Sequence, residues 1–159
     1  MCGIVGFCSK RQDKQSIIKA QLSVLHHRGP DDSDFYLNNN IALGHTRLSI
    51  IDIEHARQPM VSQDNRYILI FNGEVYNYLE LRKNLISKGV TFKTNSDTEV
   101  LLNLYAYYGR RCVTKLNGMF AFAIYDTAED SIFLARDHLG IKPLYYTYQD
   151  GEFIFASEV

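Results

Sequence analysis

The sequence predicts an α+β protein with antiparallel sheets, and three observations carry that prediction. Short β-rich runs lie near both ends of the chain, amphipathic helical stretches fall between them, and strands and helices do not alternate as a parallel sheet requires. At 159 residues, 46% hydrophobic and 22% charged, the chain suits one globular domain whose core needs no disulfide or metal staple.

The elements follow in order. Ile4 to Phe7, apolar and flanked by glycine, reads as a buried strand. Ile18, Leu22 and Leu25 make the stripe of a helix over about Ser16 to His27, which Arg28 to Asp32 breaks. Asp34 to Leu37 and Ile41 to Arg47 read as a hairpin turning at Asn38, Asn39 and Asn40. Tyr67 to Phe71 is a continuous apolar run, expected to be a central strand ending at Asn72 and Gly73. Asn77 with Glu80, and Ser96 with Glu99, have capping-box spacing ahead of two helical stripes, which Gly89 and Gly109 stop. The first stripe holds Tyr78, Leu81 and Leu85; the second holds Val100, Leu101, Leu104 and Tyr108. Met119 to Tyr125, Ser131 to Ala135, Leu144 to Tyr148 and Glu152 to Ala156 read as a β-meander.

Composition excludes several function classes. A formal charge of −1 with no basic block argues against a nucleic-acid partner. The longest apolar stretch, Met119 to Tyr125, is far short of a membrane span, and no leader pattern opens the chain. Three unpaired cysteines fit a reducing, cytoplasmic setting. The five histidines and three cysteines lack zinc-site spacing, so no metal is expected, and Cys8 and Cys112 read as buried hydrophobes.

Cys2 stands out chemically. It is followed by the small Gly3, and removal of Met1 would leave a thiol and a free α-amine on one residue, a nucleophile beside its own base. On that residue alone, an ordinary cysteine at position 2 is the favoured reading.

Seven blocks change the weighting: Cys2 to Gly6, His27 to Asp31, Gly44 to Ile50, Phe71 to Asn77, Ser96 to Glu99, Gly118 to Phe122 and Arg136 to Tyr145. In this order, from the first residues almost to the last, they resemble the glutamine-hydrolysing domain of asparagine synthetase, a class II glutamine amidotransferase. The resemblance implies a four-layer αββα N-terminal-nucleophile sandwich with two antiparallel sheets over residues 1–159. It also implies that mature Cys2 attacks the side-chain amide of glutamine, giving a γ-glutamyl thioester that water opens.

The roles it implies for other residues match their chemistry. Asn72 and Gly73 would hold the oxyanion, the first by its side-chain amide and the second by a backbone N–H that a positive φ could aim; an Asn-Gly pair is also a favoured hairpin turn. Arg47 would bind the substrate α-carboxylate bidentately, although an arginine ending a strand is otherwise unremarkable. Glu74 and Asp97 would meet the α-ammonium, while Asp97 also favours the dipole of the helix it opens. Leu48, Ile50 and Ile51 would line the substrate with their backbone. Arg28, Gly29 and Asp31 shape a nearby loop.

The resemblance implies no cofactor for this chain. ATP and Mg would belong to a synthetase domain absent here, since no serine- and glycine-rich phosphate loop occurs. The expected partners are glutamine as substrate, that synthetase domain in cis or in trans, and a second copy in a homodimer. The abrupt end at Val159 reads as continuing into the partner, with Phe153 to Phe155 near the junction. A related domain feeding a sugar or phosphoribosyl acceptor, and a non-catalytic docking module, are the alternatives.

Overall fold

The computed structural model describes residues 1–48 and 57–159. Among them run β1 (Gly3–Cys8), α1 (Lys14–Leu25), a 3₁₀ turn (His26–Arg28), β2 (Asp32–Leu37), β3 (Ile41–Arg47), β4 (Met60–Val61) and β5 (Tyr67–Val75). Then come α2 (Tyr78–Ile86), α3 (Asp97–Tyr108), a 3₁₀ stretch (Gly109–Lys115), β6 (Gly118–Asp126), β7 (Ser131–Arg136), β8 (Tyr145–Gln149) and β9 (Glu152–Ala156). Two antiparallel sheets form, ordered β2-β3-β1-β9-β8 and β4-β5-β6-β7.

Alternation along the strands builds four layers. Ile4, Ile41 and Leu43 of the first sheet meet Ile68, Ile70, Ala121 and Ala123 of the second, forming the core between the sheets. The intervening residues face outward: Val5, Phe7 and Ala42 pack on Ile18, Leu22 and Leu25 of α1. On the far side, Leu69, Phe71, Phe120 and Phe122 pack on Leu81, Leu85, Val100 and Leu101 of α2 and α3. The second sheet is covered on both faces, which is why β5 and β6 read as unbroken apolar runs. Each fully buried Ile or Phe contributes about 1.5–3 kcal/mol.

The structure corrects several local expectations. β5 does not stop at Asn72 but runs to Val75, with Asn72 opposite Ala121 and Gly73 opposite Phe120, so this dipeptide is not a hairpin turn. The last four strands are not one meander. β6 and β7 close the second sheet and β8 and β9 close the first, because the segment after Arg136 crosses between layers. Asn77 caps no N–H of α2; its side chain instead ties the Lys115 carbonyl and the Asn117 N–H. Tyr108 is half-buried and Tyr105 fills the core position. Cys8 is half-buried too, while Cys112 is fully buried. Near the end of the chain Phe155 is buried, and Phe153 and Ile154 are half-covered.

Candidate active site

At one mouth of the inter-sheet layer lies a cavity of about 110 Å³. Strand parity explains what lines it. Ile4, Ile41, Leu43, Ile68 and Ile70 face the inner layer, so Cys2, Arg47, Asn72 and Glu74 continue that face to its edge. Leu48, Gly73 and Asp97 complete the sequence-derived set around the same cavity. Ile50 and Ile51 lie outside the described residues.

Cys2 precedes the paired part of β1, whose register begins with Gly3 opposite Thr46. Its sulfur lies beside Leu48, whose N–H points at Sγ from 3.4 Å. Its carbonyl accepts from Arg28 Nε at 3.1 Å. The other two thiols are poor nucleophiles. Burial pushes Cys112 up to about 12, and burial, with Asp130 adding, raises Cys8.

Arg47 ends β3 and is buried. The segment Gly29–Asp31 holds it from behind: Pro30 bridges to it and the Asp31 N–H donates to its carbonyl at 3.0 Å. A Cβ on Gly29 would lie 2.5 Å from the Arg47 backbone, so only glycine permits this approach. The Arg28 to Asp31 block therefore acts as the expected loop-former.

Asn72 is 1% exposed, and its Nδ2 finds no acceptor among the described residues. A buried donor without a partner costs roughly 1–3 kcal/mol and calls for a functional reason. The backbone before it is held tightly. His45 Nε2–H donates to the Phe71 carbonyl at 3.1 Å, and the Phe71 N–H donates to Gln58 Oε1 at 2.6 Å. Gln58 replaces a ladder partner, because β4 pairs with β5 only at Ile68 and Leu69. Gly73 does not have the positive φ expected of it. It is glycine because a Cβ would run into Met119 O and sit 2.7 Å from Phe120 Cα on β6.

Asp97 is the first residue of α3, where Ser96 Oγ accepts the Glu99 N–H at 3.2 Å. The Glu99 carboxylate takes the Lys93 and Thr94 N–H groups instead of completing the capping box. Asp97 Oδ2 accepts the Val75 N–H at 3.0 Å, joining the helix start to the end of β5. Burial raises its pKa, the Glu74 charge adds to the rise, and the Val75 and Thr98 N–H groups oppose it. Two carboxylates on one small cavity make a seat for a cation.

Three further lining residues were given no role by the sequence: Gln58, and Thr98 and Lys142, which lie inside the Ser96 to Glu99 and Arg136 to Tyr145 blocks. Lys142 is buried, with Nζ 3.4 Å from Met1 Sδ. A tight loop delivers it. Burial would raise the Asp137 carboxyl, but the N–H groups of Lys142, Ile141, Phe120 and Leu139 outweigh that and hold it below the usual carboxylate range. Arg136 meanwhile clasps the Lys142 and Gly140 carbonyls. Among the described residues no three His, Cys, Asp or Glu side chains converge as a metal-ligating group, and no helix is long and apolar enough to cross a membrane.

An αββα sandwich carrying a cysteine at the inner edge of β1, an amide with no acceptor among the described residues on the same cavity, and charged groups of both signs defines the architecture of an N-terminal-nucleophile amidotransferase. A solved structure of glutamine phosphoribosylpyrophosphate amidotransferase from B. subtilis, complexed with ADP and GMP, has a TM-score of 0.82 and 25% identity; the match covers 98% of this chain and 42% of that one. The model of the glutamine amidotransferase domain family matches residues 1–159. The chain belongs to that family. It is 46% identical to asparagine synthetase [glutamine-hydrolyzing] 1 of Bacillus subtilis (strain 168), over 99% of this chain and 26% of that protein. It is 41% identical to asparagine synthetase B [glutamine-hydrolyzing] of Escherichia coli (strain K12), over 100% of this chain and 29% of that protein. The chain thus spans between a quarter and a third of these two relatives.

Proposed function

We propose that this chain hydrolyses glutamine to glutamate and ammonia through Cys2, and that the ammonia serves asparagine synthesis by a synthetase domain. The observation that carries the reading is the buried Nδ2 of Asn72, without a partner among the described residues, on the cavity that also holds Cys2. A donor kept without a ground-state acceptor is what an oxyanion site requires, since its bond forms as charge develops.

In this reading Met1 is removed and the Cys2 α-amine takes the thiol proton. Sγ attacks the glutamine amide carbon, and the carbonyl oxygen, now negative, accepts from Asn72 Nδ2 and the Gly73 N–H. Collapse breaks the C–N bond. The departing nitrogen takes the proton from the α-ammonium and leaves as ammonia, with a γ-glutamyl thioester on Cys2. Water activated by the same amine then opens the thioester, releasing glutamate and restoring the thiol. Arg47 orients the substrate α-carboxylate, and Glu74 and Asp97 its α-ammonium. ATP and Mg act in the synthetase domain and have no role in these steps. Similarity to asparagine synthetases at 46% and 41% identity, against 25% for the phosphoribosylpyrophosphate enzyme, favours aspartate chemistry for the ammonia. Three free cysteines accord with a cytoplasmic setting.

The test is a glutamate assay on protein whose N-terminal mass proves loss of Met1. The parent turns over glutamine and Cys2→Ala does not. Equal turnover by the two would move the chemistry elsewhere.

A further inference from the structure

Cys2 lies just outside the β1 ladder, so something other than sheet pairing must fix its backbone. The Arg28 guanidinium does so by donating from Nε to the Cys2 carbonyl. Arg28 is itself buried and has few anchors. Its Nη1 donates to Glu158 Oε1 at 2.6 Å, and its Nη2 is buried with no acceptor among the described residues. A guanidinium is planar and rigid, so its Nη1 bond sets the direction in which Nε points.

Glu158 is placed by the same end of β1 that it serves. Beyond β9, the Ser157 N–H donates to the Ile4 carbonyl at 2.8 Å and Ser157 Oγ accepts the Ile4 N–H at 3.0 Å. The next residue is thereby delivered to Arg28. His27 braces it from the other side, with Nε2 3.1 Å from the same Oε1 and Nδ1 2.9 Å from the Val24 carbonyl. Both ring nitrogens of His27 thus face oxygen atoms, one on the Val24 backbone and one on Glu158. Arg28 first, then His27, holds the Glu158 carboxyl below the usual carboxylate range, which keeps it an acceptor.

We infer that Glu158 is a positioning residue for the nucleophile, acting through Arg28 on the Cys2 carbonyl. Glu158 does not line the catalytic cavity. Its effect is to keep the Arg28 fork turned so that Cys2 is presented in one geometry. The kinetic part of this inference rests on the glutaminase reading, and the backbone part does not.

The experiment therefore has two arms, run on the processed chain and on Glu158→Ala, Glu158→Gln, Arg28→Met and the Arg28→Met/Glu158→Ala double variant. In steady-state glutaminase assays Glu158→Ala lowers kcat by about 10- to 100-fold, the scale of an ångström-sized misplacement, with KM changed by less than about twofold. Glu158→Gln, which keeps an acceptor, recovers part of that loss. In the Arg28→Met background Glu158→Ala adds nothing, because the path it acts through is already cut. Arg28→Lys takes the place of Arg28→Met if the latter does not fold. In the second arm, amide hydrogen exchange of the peptide spanning Cys2 to Ile4 quickens in Glu158→Ala, while the β5 peptide keeps its parental rate. Parental kcat and exchange in Glu158→Ala would overturn the inference, as would the same fold-loss with and without Arg28. A parent that hydrolyses no glutamine sinks the glutaminase reading instead, and the exchange arm still decides the role of Glu158.

Discussion

Replacing Asn72 by leucine should make the protein more stable and far less active. The two effects have separate origins in one atom. In the folded state Nδ2 is removed from water and bonded to nothing among the described residues, a cost of roughly 1–3 kcal/mol. Leucine keeps the branched shape at the γ carbon and has no donor to strand, so most of that cost is relieved. For a chain of 159 residues each kcal/mol moves Tm by about 2–4 °C, and a gain near 2 kcal/mol raises Tm by roughly 4–8 °C. Turnover falls because the oxyanion loses one of two donors, about 10²–10³ in kcat with KM little changed. Calorimetry and a coupled glutamate assay on one preparation read both quantities. A Tm several degrees below the parent would mean that Asn72 holds β5 together, and parental kcat would place the oxyanion elsewhere; either result refutes the reasoning.

Other expectations follow from neighbouring residues. Arg47→Lys keeps the charge but loses the bidentate fork, so it raises KM for glutamine with a smaller change in kcat; an unchanged KM would remove Arg47 from carboxylate binding. His45 is fully buried, and desolvation first, then the Arg47 charge, lowers its pKa from 6.5 to about 4 against the opposing pull of the Phe71 carbonyl. The unfolded chain therefore binds this proton at higher pH than the folded one, and as pH falls from 6.5 through 4 the protein loses about 3 kcal/mol on this account. His45→Gln should flatten denaturation midpoints across that window, and an unaltered pH slope would contradict it. Gly73→Ala forces a Cβ against the β6 backbone, which cannot swing aside, and should lower stability by about 1–3 kcal/mol or more along with activity. A parental Tm in that variant would show that the strands separate at no cost.

Much of this architecture was readable because both sheets obey simple periodicities. The alternation of Ile4, Val5, Gly6 and Phe7, and the capping Ser96 at the start of α3, are local signals, and local contacts honour them. The division of the C-terminal strands between two sheets was not readable. The turn after Arg136 is shaped by the Asp137 carboxylate gathering backbone N–H groups, one of them from Phe120 on a neighbouring strand, and no nearest-neighbour pattern reports such a bond. The end of β5 was missed because Asn72 and Gly73 favour turns in isolation, while pairing with Ala121 and Phe120 overrides that preference. Within the site, Cys2, Arg47 and Asn72 share one inner-face parity that the sequence already contained. Gln58 and Lys142 reach the cavity by loops whose course depends on long-range contacts.

The most direct measurement is covalent labelling with an electrophilic glutamine analogue, followed by peptide mass mapping. The account predicts one adduct, on Cys2, slowed by competing glutamine and absent from Cys8 and Cys112, whose thiols burial holds in the neutral form. Glutamate production that persists once Cys2 is fully modified, or an adduct on either of the other cysteines whose formation tracks the loss of activity, would contradict it.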